Sequence, residues 1–280
     1  MSAEEQAAHF NKEAESYDSK FGEINTACAS AHVSQITSRL LSTSSTSSSL
    51  RVLDLGAGTG NTTIPIASLP NVSQVVALDV SEGMLAQLSK KLPTSLQSKV
   101  MTVCGNLLSD DESTCAALKQ KLGGPFDVVV TSVVLHHIVD VSKAVKVLAG
   151  LLKPGSGMLS VVDLERASEI TDEEASHAFF GGNQQSMTAA HQHLVHHHGF
   201  TRKTFEEYLR NAGLIDIQTQ TAGKIARPPQ DHHHHQHQHP DDSAEKHHHE
   251  AEEEHEHHHH DHGTTPTEVT LFISTAIRPL

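Results

Sequence analysis

Cysteine is scarce in this chain: Cys28, Cys104 and Cys115 are the only three in 280 residues, and no two stand at C-x-x-C spacing. So few thiols argue against a disulfide framework or a thiolate metal site, and we interpret them as reduced, with Cys104 in a core strand. Long apolar runs are also lacking. No segment approaches the roughly 18 residues that a membrane span requires, and residues 1–10 lack a signal-peptide apolar region. We therefore expect a soluble, cytoplasmic protein without a membrane span.

Basic residues are outnumbered, with 20 Lys and Arg against 34 Asp and Glu and a formal charge of −14. The segment 231–262 holds 15 of the 25 histidines, ten acids and one lysine, so it carries −9 and the remainder only −5. Nucleic-acid binding through a basic face is disfavoured, because phosphate contacts need clustered Lys and Arg. We expect a small-molecule partner, and the oligomeric state stays open.

Hydrophobic periodicity predicts one α/β domain preceded by two amphipathic helices, over 2–17 and 24–41, and a Ser/Thr linker over 42–49. The predicted strands are 52–55, 74–79, 100–104, 126–131, 158–162, 214–221 and 269–277. The predicted helices between them are 61–69, 82–92, 113–122, 141–152, 172–198 and 204–212. This alternation implies a mostly parallel sheet with helices on both faces. The domain then comprises 50–230 and 263–280, interrupted by a disordered His-rich insertion over 231–262.

The segment VLDLGAGTG, from Val52 to Gly60, is typical of a nucleotide-type ligand site. Its glycines bring bare backbone against a bound molecule, and the helix predicted next turns its free N–H groups towards that molecule. Dinucleotide and S-adenosylmethionine folds both use such a turn. Asn61 replaces the third glycine of the dinucleotide fingerprint, and Asp54 would repel a pyrophosphate but attract an ammonium or sulfonium. S-adenosylmethionine is favoured, with a dinucleotide as the alternative.

Two further strand ends carry side chains suited to a nucleoside. Asp79 can accept hydrogen bonds from both ribose hydroxyls, or it can act as a helix-capping acid. Val80 and Met84 would then contact the adenine. Asn106, followed by Leu107, can accept from the adenine amino group or form a turn.

Residues 50–60, 75–84, 104–108, 126–140 and 151–162, in this order, resemble the motifs of class I S-adenosylmethionine-dependent methyltransferases. The most similar group is type 11, the small-molecule group that includes ubiquinone and menaquinone methyltransferases. The segment FNKEAESYD resembles the lid helix of that group, and GFTRKTFEEYLRNAGL its late helix and turn. The resemblance implies a Rossmann-like, seven-stranded sheet of order 3-2-1-4-5-7-6 with strand 7 antiparallel. It also implies lid helices over 1–41 and S-adenosylmethionine at the C-terminal ends of the strands.

The resemblance also assigns parts of the cofactor to individual residues. Asp54 and the glycine loop would line the methionine part, Tyr17 would close over it, and Asp79 would bind the ribose. Asn106 stands where many relatives have Asp. The complete predicted cofactor set is Tyr17, Asp54, Gly56, Ala57, Gly58, Thr59, Gly60, Asp79, Val80, Met84, Asn106, Leu107, Thr131 and Ser132, the last two near the methyl group.

Catalysis would consist mainly of alignment, because a sulfonium is already an activated methyl donor and the nucleophile must only be held in line with it. A general base is needed only if the nucleophile must lose a proton. His136 or His137 could be that base, since an imidazole titrates near cell pH. Alternatively, one of them packs under the lid and the other orients backbone. Residues 196–198, all histidine, either line the acceptor pocket or form a solvated helix end.

The tract 231–262 carries a separate hypothesis. Imidazoles mixed with carboxylates favour zinc, nickel or copper(II), which predicts an accessory metal-binding loop. The predicted ligands are His232, His233, His234, His235, His247, His248, His249, His257, His258, His259 and His260. The alternatives are a repeat expansion in a tolerant loop and, for the whole chain, a non-catalytic metal-sequestering protein on a methyltransferase-like fold.

Overall fold

The computed structural model describes residues 3–41, 49–167, 196–226 and 268–280. The predicted His-rich tract therefore lies outside the described residues. So do the predicted linker, except Ser49, and the predicted helix over 172–198, except its last three residues. No helix in the described ranges is long and apolar enough to cross a membrane.

Within those ranges, seven strands form one sheet and seven α-helices surround it. The strands are β1 Leu50–Leu55, β2 Val72–Asp79, β3 Val100–Cys104, β4 Val128–Ser132, β5 Met158–Leu164, β6 Ile215–Ala226 and β7 Glu268–Ile277. The helices are α1 Ala3–Glu13, α2 Tyr17–Ile36, α3 Thr63–Ala67, α4 Glu82–Lys91, α5 Glu112–Leu122, α6 Val141–Leu151 and α7 Arg202–Asn211. A π-helical turn, Thr37–Leu41, extends α2, and 3₁₀ turns cover Thr94–Leu96 and Leu135–His137.

The strand order is β3-β2-β1-β4-β5-β7-β6, with β7 antiparallel to both of its neighbours and the other pairs parallel. This confirms the predicted fold. Every residue of β5 is buried, as expected for a parallel strand covered on both faces. The chain leaves β1 towards β2 on one side and later returns to β4 on the other, so a crevice opens at the C-terminal ends of these strands.

Apolar side chains fill both faces of the sheet. On one face Leu148 of α6 and Phe205 of α7 join the largest buried cluster. On the other face Ile36 of α2 and Ile66 of α3 pack against β1 and β4, and Leu88 of α4 packs near β2. Both layers hold the strand ends in place around the crevice.

The predicted helix bounds differ from the observed ones for local reasons. The first helix ends at Glu13 rather than Tyr17, because a turn follows in which the Ser16 N–H donates to the Glu13 carbonyl (3.0 Å). Tyr17 therefore begins α2. The helix after the glycine loop is only Thr63–Ala67, since Gly60 has a φ of +87° and Pro70 disfavours helix before it.

The cysteines are all free thiols. Cys104 lies in β3, but β3 is an edge strand and Cys104 is exposed, so the predicted core position is wrong. Cys28, in α2, is the fully buried one, and burial raises its pKa to about 12.

Candidate functional site

A cavity opens where β1, β2 and β4 end. Its empty space, which includes the mouth that is open to solvent, is about 810 Å³. Ten of the residues predicted from the sequence line it: Tyr17, Gly56, Gly58, Asp79, Val80, Met84, Asn106, Leu107, Ser132 and His137. The tertiary structure thus brings most of the predicted set to one place.

The glycine loop allows two chain segments to approach closely. A Cβ on Gly56 would lie 2.3 Å from Cγ2 of Val134, and the φ of Gly56 is +69°. Gly58, at φ +54°, directs its N–H to the Asp79 carboxylate. The loop therefore depends on glycine both for its backbone conformation and for its contact with the segment after β4.

Asp79 lies at the centre of the β2 end of the cavity. Its carboxylate accepts from the Gly58 N–H and the Ser81 N–H, both at 2.8 Å. Burial raises its pKa, whereas these donors oppose the increase. Ser81 caps α4 by accepting from the Met84 N–H (3.1 Å). Because a carboxylate has about four acceptor positions, Asp79 retains capacity for ribose hydroxyls.

Asn106 lies at the same end, after β3. Its side-chain oxygen accepts from the Leu108 N–H (2.9 Å), so the turn considered in the sequence analysis is present. An amide oxygen has a second lone pair, which leaves room for the adenine contact that we predicted.

Helix α1 covers the cavity, although none of its residues is buried. Gln6 donates to the His137 carbonyl (2.9 Å), and the Phe10 ring meets the His137 ring edge-on. The Asn11 side-chain oxygen accepts from the Ser81 hydroxyl and the Gly83 N–H, both at 2.8 Å. The sequence analysis assigned no contact to Gln6, Phe10 or Asn11, although Phe10 and Asn11 begin the segment that resembles the lid helix.

The two candidate bases occupy different environments. His137 lines the cavity under α1. His136 is buried, and its Nδ1 lies 2.7 Å from the fully buried Asp163 carboxylate. Asp163, which sequence reasoning also missed, follows the apolar run of β5 and accepts further bonds from the Leu135 and Leu164 N–H groups. His137 therefore has the contact with α1 that the packing alternative predicts, whereas the His136 ring is hydrogen-bonded to a carboxylate.

Six predicted residues lie away from the cavity wall: Asp54, Ala57, Thr59, Gly60, Thr131 and His136. Asp54 is buried inside β1 and accepts from the Thr63 hydroxyl (2.6 Å), and burial raises its pKa to about 7. Thr59 donates to Asp18 in the first turn of α2 (2.5 Å). Asp54 thereby joins β1 to the start of α3, and Thr59 joins the glycine loop to α2.

Ala57, Gly60 and Thr131, which also lie away from the cavity wall, are packed inside the protein. A Cβ on Gly60 would meet Leu88, against which Ala57 also packs. Thr131 is fully buried, and its hydroxyl has no hydrogen-bond partner. The apolar face of α4 and the sheet interior therefore account for their positions.

The charge of the cavity lining is one-sided. Asp79 contributes a carboxylate, and no Lys or Arg is found among the described residues that line the cavity. Tyr17, which also lines it, stays a neutral phenol because burial raises its pKa. Such a lining suits a cation better than a pyrophosphate. The dinucleotide alternative is accordingly disfavoured.

Sequence comparison agrees with this geometry. Residues 53–159 match a family described as a methyltransferase domain. This match supports the resemblance to class I S-adenosylmethionine-dependent methyltransferases that the sequence motifs indicate. An uncharacterised methyltransferase of Schizosaccharomyces pombe is 30% identical over 171 residues, which cover 61% of this chain and 55% of that protein. A ubiquinone biosynthesis O-methyltransferase of Caulobacter vibrioides is 33% identical over 117 residues, 42% of each chain.

These matches span about half the length of the curated relatives. Among solved structures, the magnesium protoporphyrin IX methyltransferase of Synechocystis superposes with a TM-score of 0.52 at 17% identity, covering 92% of this chain and 84% of that one. At this identity the likeness concerns the fold.

Two further groups of histidines were predicted as site residues, one over 196–198 and one between 232 and 260. His196, His197 and His198 line a separate cleft together with Arg166, and the N–H groups of His196 and His197 donate to the His136 carbonyl. The predicted metal ligands between 232 and 260 lie outside the described residues. Within the described ranges no group of three or more His, Cys, Asp or Glu is placed to hold a metal ion.

Proposed function

We propose that the protein transfers a methyl group from S-adenosylmethionine to a small-molecule acceptor. The observation that carries this proposal is the cavity at the ends of β1, β2 and β4, where a glycine loop faces a carboxylate and, among the described lining residues, no basic side chain. The Caulobacter and Synechocystis proteins are named for ubiquinone biosynthesis and for a magnesium porphyrin, which supports a small-molecule acceptor.

The strand order suggests how the cofactor lies. Asp79, Met84 and Asn106 belong to the β2 and β3 side of the cavity, which suits the ribose and adenine. The methionine part and the sulfonium then extend past Gly56 towards Ser132 at the end of β4. The chain's principal contribution to the reaction is this alignment, because bound reactants in a near-attack arrangement can save roughly 7–11 kcal/mol of barrier.

The proton of the acceptor, where it must leave, is assigned to His137. This residue lines the cavity, whereas His136 is held behind it by Asp163, with the two ring centroids 4.0 Å apart. His136 is thereby a positioning residue in the proposal. His137 accepts the proton on a ring nitrogen as the acceptor atom bonds to the methyl group.

Calorimetric titration with S-adenosylmethionine and S-adenosylhomocysteine tests the cofactor assignment. We expect both to bind the folded protein, and Asp79→Ala and Gly58→Arg to abolish binding. Absence of binding to the folded wild type, or unchanged binding in both variants, would refute the proposal. Incubating cell metabolite extracts with the radiolabelled methyl donor then identifies the acceptor.

We also propose that residues 231–262 bind divalent metal ions as an accessory property, on the basis of their composition alone. Titration with zinc alone should show multivalent binding that is lost on deletion of 231–262. If the full chain bound zinc but neither cofactor, the non-catalytic metal-sequestering alternative would replace the enzymatic one. Equal zinc binding with and without the tract would contradict the metal assignment.

A further inference from the structure

Four polar side chains from four segments form a hydrogen-bonded chain that leads from the interior to the cavity wall. The ring of His32, in α2, contacts the Ser160 hydroxyl through Nδ1 (2.8 Å) and the Ser132 hydroxyl through Nε2 (3.1 Å). Ser132 in turn contacts the Thr62 hydroxyl at 3.0 Å. His32 and Ser160 are fully buried, and Ser132 lines the cavity. None of these links was expected from the sequence.

His32 is a neutral imidazole, because burial lowers its pKa to about 3. It therefore has one N–H donor and one acceptor nitrogen, and each of them fixes the direction of a neighbouring hydroxyl. Burying a polar ring costs free energy that an apolar side chain of similar size would not incur. The two hydrogen bonds of the His32 ring, to Ser160 and Ser132, offset this cost.

Two residues next to Ser132 lack the hydrogen bond or backbone conformation that is usual for their positions. Thr62 occupies the N-cap position of α3, yet its hydroxyl makes no cap hydrogen bond and contacts Ser132 instead. Val133 has a φ of +50°, an unfavourable conformation for a β-branched residue. Such conformations persist where the surrounding structure over-determines them. The position of Ser132 is thus specified by tertiary contacts rather than by its own segment.

Ser132 lies at the end of the cavity opposite the nucleoside. The strand order places β2 and β3 on one side of β1 and β4 on the other. With the ribose at Asp79, the sulfonium end of the cofactor points towards β4. This step rests on the proposed function.

We propose that His32 is a positioning residue that fixes the reacting end of bound S-adenosylmethionine through the Ser132 hydroxyl. A hydroxyl offers one donor and two acceptor positions. His32 and Thr62 occupy two of the positions on Ser132, and the third serves the molecule in the cavity. His32 itself is not among the residues that line the cavity.

Two conservative substitutions distinguish the roles of the two ring nitrogens of His32. The Asn amide branches from the same carbon as Nδ1, so His32→Asn keeps a polar partner for Ser160 and loses Ser132. Gln reaches one bond further, so His32→Gln keeps Ser132 and loses Ser160. Calorimetric titration measures the affinity for S-adenosylmethionine. His32→Asn should bind about 10-fold more weakly than the wild type, which is the effect of losing one hydrogen bond. His32→Gln should bind less than about 3-fold more weakly, because it keeps the bond to Ser132.

A double-mutant cycle shows whether His32 acts through Ser132. Ser132→Ala should weaken binding as much as His32→Asn does, and the double variant should be no weaker than Ser132→Ala alone. Thr219→Ala, which removes a hydroxyl pair with Ser274 between β6 and β7, is the matched control and should leave the affinity unchanged. Should His32→Asn fail to fold, Ser132→Ala against Thr219→Ala carries the test.

Equal affinities of His32→Asn and His32→Gln, additive effects in the cycle, or wild-type affinity in Ser132→Ala would overturn the proposal. In each of these cases the wild type still binds the cofactor, so the proposed function survives. If the folded wild type bound no S-adenosylmethionine, both would fall together.

Discussion

The two ends of the cavity are built in different ways. At the β2 end, Asp79, Ser81 and Met84 lie within one short stretch and organise one another through a helix cap and backbone N–H groups. At the β4 end, Ser132 is held by His32 and Thr62, which are 100 and 70 residues away along the chain. Within residues 79–84 the β2 end is therefore organised by local contacts. The β4 end, where we place the reacting part of the cofactor, exists only when α2, α3 and β4 have assembled.

Gly56 contacts both ends of the cavity, because its N–H donates to the Leu78 carbonyl of β2 and its Cα lies against Val134 after β4. Substitution of Gly56 is therefore expected to have the largest effect. Gly56→Ala places a Cβ 2.3 Å from Val134 and an alanine at φ +69°. We expect a loss of about 3 kcal/mol in the free energy of unfolding, from overpacking plus left-handed strain. Urea denaturation measures it, and cofactor binding should disappear in calorimetry.

Gly150→Ala is the matched control for that variant. Gly150 lies in α6, and nothing is within 4 Å of its added Cβ, so the substitution should be neutral or stabilising. A Gly56→Ala protein as stable as the wild type would show that the two ends do not constrain each other.

A substitution of Asp79 changes only the β2 end of the cavity. Asp79→Asn removes the charge and replaces one acceptor oxygen by an amide, so the Gly58 and Ser81 N–H groups cannot both be satisfied as they are now. We expect a loss of about 2 kcal/mol of binding free energy for S-adenosylmethionine, or ~30-fold in affinity. Glu82→Gln, an exposed acid at the start of the next helix, should change the affinity less than about 2-fold. Similar losses for both variants would indicate a general charge effect.

The second buried acid behaves differently, because Asp54 supports the loop and does not line the cavity. Its folded pKa is raised to about 7, so between about pH 4 and 7 the folded state holds a proton that the unfolded state has released. The resulting penalty is absent in acid and complete above pH 7. Asp54→Asn should therefore gain stability relative to wild type as the pH rises from 5 to 8, by on the order of 2 kcal/mol.

Chemical denaturation at several pH values measures this difference. Thr63→Val should act in the opposite sense, because it removes the hydroxyl that stabilises the Asp54 carboxylate. A stability difference between Asp54→Asn and wild type that does not change with pH would contradict the assignment.

Asn11 is expected to give the smallest effect. It joins α1 to the start of α4 through two hydrogen bonds. Because α1 has no buried residue, these bonds and the contacts of Gln6 and Phe10 with His137 hold it over the cavity. Asn11→Ala should weaken cofactor binding by about 1 kcal/mol, or ~5-fold, and speed proteolysis within α1. Lys12→Ala, exposed on the same helix, is the control. Equal protease resistance of the two variants would show that Asn11 does not hold α1 in place.

Sequence reasoning succeeded where a side chain acts within its own segment. Asp79 at the end of β2, Ser81 as a helix cap and the glycines before α3 follow from strand and loop patterns, and the strand order from the resemblance. It failed for Asp163, Asn11 and the chain through His32, because these depend on which distant segments become neighbours. An isolated buried histidine has no pattern that distinguishes it from a surface one.

The sequence by itself determined the alternation of strands and helices, the glycine loop and the acid at the end of β2, since local propensity and short-range hydrogen bonds specify each of them. Tertiary structure alone decided that Asp54 lies inside the sheet rather than on the cavity wall, that His137 and not His136 lines the cavity, and that Ser132 is held by His32. These outcomes depend on packing between segments up to 131 residues apart, and burial and hydrogen-bond geometry exist only after those segments meet.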